Sequence, residues 1–147
     1  MTEDRKPPAS AKALLETALA GGPNAALAAK RAALLAERDD PELARQALRL
    51  VAKLEPLDPT PRLALARLLA EQGDVAAARS EAEAVLAEAV DTAARARAAF
   101  MLGEIARMRG EWDAARGYFE TTLKLEDAIL ATDRSNVTAA RWFARAP

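Results

Sequence analysis

Three acidic pairs are where this chain could do bond-making chemistry: Asp39-Asp40, Glu81-Ala82-Glu83 and Glu126-Asp127. Neighbouring carboxylates can hold a divalent cation or act as an acid–base pair, provided further ligands converge on them. None of the three has a second ligand cluster nearby in sequence. The chain has no histidine and no cysteine, so the commonest general base, the commonest metal ligand, thiolate zinc sites and disulfides are all missing. Asp39-Asp40 precedes a proline and reads as a helix cap, while Glu81 and Glu83 would point to different faces of a helix. No phosphate-binding glycine loop, serine-nucleophile motif or EF-hand spacing occurs. The expectation is no enzyme, no cofactor and no metal, leaving recognition by arginine and aromatic side chains.

The elements that must position those side chains are helices. Of 147 residues 51% are apolar, alanine dominates them, and aromatics are only 4%. Alanine has the highest helix propensity and the smallest side chain, so it suits closely packed helices. β-branched residues are scarce and no stretch alternates with period two. Asp40-Pro41 and Thr60-Pro61 place a capping residue before a proline at the first helical position, and Asn24 after Gly21-Gly22-Pro23 marks another start. Gly73-Asp74 and Gly110-Glu111 put a glycine past one helix and an acid at the head of the next. Helices are predicted near 9–20, 24–37, 41–54, 60–72, 75–89, 93–109, 112–130 and 134–145. Residues 1–8 are expected to be disordered and 9–147 to form one domain. With a formal charge of −1 there is no basic field for nucleic acid. No window nears the ~20 apolar residues of a membrane span, and the polar N-terminus lacks the apolar stretch of a signal peptide. A cytoplasmic location is expected.

Internal spacing suggests the architecture. Ala44 and Ala78 are 34 residues apart with Asp39-Asp40 aligned on Gly73-Asp74. Ala115 follows Ala78 by 37 residues, the three extra fitting a loop around Asp91–Ala94. The units are 25–58, 59–95 and 96–129, flanked by an N-terminal helix (9–22) and a C-terminal one (132–147). This pattern resembles the tetratricopeptide repeat family. Unit three carries the likeness best, through Leu102-Gly103, the Gly110-Glu111-Trp112 turn, Ala115 and Phe119. Unit two matches through Leu65-Ala66, Gly73-Asp74, Ala78 and Val85. In unit one Arg31 stands where leucine is usual, but Ala32, Ala44, Val51 and Pro56 fall in place. The resemblance implies an all-α right-handed superhelix of about three repeats with a capping helix at each end. Small residues at Ala66/Gly103 and Ala78/Ala115 would let helices approach; Leu69, Leu86, Leu102, Ile105, Phe119 and Leu123 would fill the spaces. Trp112 would pack as a core aromatic.

The resemblance also implies a concave groove lined by the first helix of each unit. Ala26, Ala29, Ala33 and Ala36 would form its smooth end. Thr60, Leu63, Arg67 and Ala70 would follow, then Arg97, Phe100, Glu104 and Arg107. Leu63, Arg67, Arg97, Phe100, Glu104 and Arg107 are the partner-binding candidates, suited to a peptide or helix of another protein with apolar anchors and acidic flanks. The family's clamp for acidic chaperone tails is not supported, because Ala29, Ala33, Ala64, Arg97 and Met101 occupy its positions and only Arg97 is charged. The expected function is thus an adaptor or assembly factor. The alternative is a self-associating subunit of a complex, using Trp142 and Phe143 on the terminal helix. Otherwise that helix would fold back onto 112–130 through Val137, Ala140, Phe143 and Ala144.

Overall fold

The computed structural model describes residues 10–145, the side chains of Phe143 and Arg145 excepted. The expectation of disorder over residues 1–8 therefore lies outside the described residues. Within them the chain is all-helical: α1 (Ala11–Leu19), α2 (Ala25–Ala36), α3 (Pro41–Leu54), α4 (Thr60–Glu71), α5 (Val75–Glu88), α6 (Thr92–Met108) and α7 (Trp112–Arg145).

Four helix starts are tied down by a side-chain cap. Ser10, Asp40, Asp74 and Asp91 accept hydrogen bonds from the first-turn N–H groups of Ala13, Leu43, Ala77 and Ala93, satisfying donors that have no partner within the helix. Two starts differ from expectation. Asn24 makes no side-chain cap bond. Thr60 is already helical, and the Thr60 N–H is bound by Asp58 Oδ1 at 3.0 Å, two residues upstream.

The ends of α4 and α6 are built alike. Gly73 and Gly110 take φ of 85° and 74°, a left-handed conformation that glycine adopts without a Cβ penalty. That lets Asp74 N–H reach Leu69 O and Glu111 N–H reach Ala106 O, both at 2.9 Å. The corresponding turn after α2 has no glycine, and no non-glycine described residue has positive φ.

Consecutive helices pack on one another along the whole series, and short connections fold them into hairpins α2–α3, α4–α5 and α6–α7. Within each hairpin at least one of the facing positions is small. Ala32 meets Leu48 in the first, and Ala66 meets Ala82 in the second. In the third, Gly103 lies under the Phe119 ring, so close that a Cβ there would stand 2.5 Å from a ring carbon. Ala44, Ala78 and Ala115, the three residues in register, are all buried. α1 packs on α2 and α3 and buries Leu15 and Ala18.

The C-terminus departs from expectation. No separate capping helix over 132–147 exists in the described residues; α7 runs unbroken for 34 residues, about 51 Å at 1.5 Å per residue. Thr132, Asp133, Ser135 and Asn136 look like a break, but Thr132 and Ser135 turn their hydroxyls back to the carbonyls of Ala128 and Ala131. The helix is thereby continued rather than capped. Beyond Ile129 every described side chain is exposed, including Val137, Ala140 and Ala144, which were expected to pack on 112–130. Trp112 is 68% exposed and Leu123 61%, so neither is a core residue. Trp112 is the first residue of α7, past the last turn of α6, and Leu123 faces away from α6.

Candidate functional site

Comparing how α4 meets its two neighbours locates the site. On one side α4 packs on α6; on the other its backbone never closes on α2. The difference follows from side-chain size. Across α4–α6, Leu63 reaches Ala94 and Ala98, and Leu65 and Leu69 reach Ile105. Met101 packs against both groups and against Ala66 and Leu102. Counting back 37 residues from Met101 gives Ala64, and counting back 34 from Leu63 gives Ala29. Both residues that seal the α4–α6 junction are thus alanine at the α2–α4 junction. A cleft of about 280 Å³ remains, walled by Ala33 and Leu34 of α2 and by Pro61 and Ala64 of α4, with Leu48 and Val51 of α3 as its floor.

The rim is charged but already paired. Lys30 Nζ lies 2.8 Å from Glu55, and Arg67 lies 2.6 Å from Glu37. Asp58 adds an acid whose carboxyl is held below its ordinary range, first by the Thr60 backbone N–H, then by the Thr60 hydroxyl and the positive charges of Lys30 and Arg97; burial opposes the shift. An apolar floor inside a mutually compensated rim favours an apolar guest over a strongly acidic one. Leu27, two helical turns before Leu34, is also exposed and extends the apolar strip along α2.

The sequence candidates fare unevenly. Leu63 is only 6% exposed and spent on the α4–α6 junction, so it lines no groove. Arg67 does stand at the cleft. Arg97 and Phe100 are exposed, and Phe100 leans on Phe119 with ring centroids 5.7 Å apart. Glu104 and Arg107 bind each other at 2.9 Å along one helix face, which raises the Arg107 pKa further. Ala29 and Ala36 are buried and line no groove, whereas Ala33, 7% exposed, is part of the cleft wall beside Lys30, Leu34 and Glu37. Leu34, Leu48 and Ala64 were the missed residues. The signal available was the size mismatch between Ala64 and Met101 at equivalent positions.

Of the acidic pairs, Asp40 is a cap, and no group of three or more Asp or Glu among the described residues is placed to hold a metal ion. No helix there is long and apolar enough to cross a membrane. No protein-family model matches the chain, and no curated protein matches it either.

Proposed function

We propose that this chain is a non-enzymatic protein-interaction module of tetratricopeptide-like build, which takes an apolar segment of another protein into the α2–α4 cleft. Three hairpins, their in-register buried alanines and the paired glycine turns support the build. The observation that carries the function is the cleft itself: exposed Leu34 and half-buried Leu48 and Ala64 between two helices that the repeat pattern would otherwise bring together. An apolar face of a helix, or alternate side chains of an extended peptide, would complete the missing packing. The paired rim charges make acidic flanks unnecessary, which narrows the guest to apolar anchors with few charges.

The test is a peptide-display selection on the wild-type chain. Selected peptides should lose at least about tenfold in affinity on Leu34→Glu and on Ala64→Met, with helical melting not lowered by either change. Peptides that bind both variants as well as wild type would place the binding site elsewhere.

A further inference from the structure

The outer side of α7 is the largest feature the cleft does not use. Every earlier helix is covered by the one that follows it, whereas α7 packs on α6 alone. The uncovered side carries Leu123, Leu130 and Val137, spaced by sevens and 61%, 52% and 50% exposed. Such a row runs nearly straight along a helix and supplies one apolar position per heptad, half of a paired-helix seam, with charged residues beside it. Beyond Ile129 the helix continues for 16 residues, about 24 Å, with every described side chain exposed.

Charges beside this row are sorted by position. Glu120 and Asp127 flank it on the half that packs against α6, and Arg134 and Arg141 flank the same edge on the projecting half. All four are exposed. We infer that α7 is a self-association helix: two copies pair antiparallel about a two-fold axis at Leu130, each projecting half lying along the outer side of the other copy's α7. In this register Leu130 meets its own counterpart and Leu123 meets Val137. Glu120 faces Arg141 and Asp127 faces Arg134, each pair occurring twice by symmetry. Moving the axis one helical turn toward the C-terminus sets Arg134 against Arg134 and Asp133 against Asp133. Parallel pairing sets this edge against the 119/126/133/140 edge, which brings Asp127 to Glu126 and leaves Glu120 and Arg141 opposite Phe119 and Ala140. The burial boundary at Ile129 and the charge pattern point independently to the same axis. The second copy supplies the packing that a folded-back terminal helix would have supplied within one chain. Glu126 and Asp133 approach each other on the far edge and oppose pairing, which keeps the dimer reversible; the four acid–arginine pairs outnumber these two like-charge contacts, so low salt strengthens it. Trp142 lies roughly a third of a turn away from the Leu130 row and takes no part.

Charge exchange tests the register on the full chain, with sedimentation velocity as the readout. Wild type should show twice the chain mass at tens of micromolar and dissociate on dilution. Arg134→Glu/Arg141→Glu and, separately, Glu120→Arg/Asp127→Arg should each weaken self-association at least about a hundredfold with unchanged circular dichroism. Mixing the two variants should restore a dimer, because every facing pair is again opposite in sign. The chain has no cysteine, so Leu130→Cys should give a disulfide-linked dimer under mild oxidation while Ser135→Cys does not. A wild type that stays monomeric to millimolar concentration, variants that still dimerise, or a mixture that stays monomeric would each overturn the proposal.

Discussion

The two junctions made by α4 are built from equivalent positions and end differently. Between α4 and α6 the positions hold Leu63 and Met101, and the helices close; between α2 and α4 they hold Ala29 and Ala64, and a cleft is left. A polar tie follows the same division. Arg79 of α5 reaches across to Glu111 in the turn before α7, at 2.8 Å. Arg45, the equivalent arginine in α3, would have Asp74 opposite, one methylene shorter and already committed to capping α5. Arg45 instead turns back to Glu42 on its own helix, leaving its Nε buried without a hydrogen-bond partner. Two helix junctions of similar plan thus differ by a few methylenes, and the smaller side chains leave an opening.

The comparison can be broken most severely from the closed side. Leu63→Ala puts the open junction's residue into the closed one and should cost about 3 kcal/mol, read as a lower denaturation midpoint. If α4–α6 tolerates it with less than about 1 kcal/mol, the size argument fails. Next comes Gly103→Ala, where the new methyl meets the Phe119 ring. Displacing a ring that also rests on Phe100 should destabilise by about 2 kcal/mol in the same measurement, and pairing the change with Phe119→Leu should recover most of it.

From the open side the sign reverses. Ala64→Met copies the sealing residue into the cleft and should raise stability by about 1 kcal/mol while eliminating peptide binding. A destabilised variant would mean that α2 and α4 are held apart by something other than missing volume. The smallest effect concerns the entry to α4. Asp58→Asn should lower stability at neutral pH by a few tenths of a kcal/mol, by replacing a charged acceptor at the helix start. Because the Asp58 pKa is depressed in the folded chain, its contribution is present above the ordinary carboxylate pKa and lost as pH falls through the folded value. The difference between wild type and Asp58→Asn should accordingly shrink in acid; a difference that persists would assign the effect to packing.

Much of the local structure was legible because its causes are local. Asp40-Pro41, Asp74 and the two glycine turns mark helix ends through hydrogen bonds spanning only a few residues, and the observed boundaries of α2 to α6 lie within two residues of those expected. A large difference is the break expected after Leu130: the helix continues there, and the Thr132 and Ser135 hydroxyls bond back along it. A hydroxyl residue can cap a helix or bond back within one, and nothing nearby decides between the two.

The site was less legible, for a reason tied to alanine. Helix propensity and spacing show that α2 is helical and amphipathic, but Ala29, Ala33 and Ala36 are small enough to face a neighbour or a groove at little difference in energy. Composition, caps and turn residues by themselves determined an all-helical chain with its hairpins at defined places, since those depend on short-range hydrogen bonding and backbone conformation. Tertiary packing alone decided which face of α2 is buried, that Ala64 leaves a cleft where Met101 leaves none, and that the second half of α7 stands clear of the fold. Each depends on the volume of side chains supplied by distant segments, and that volume is evaluated only when the helices meet.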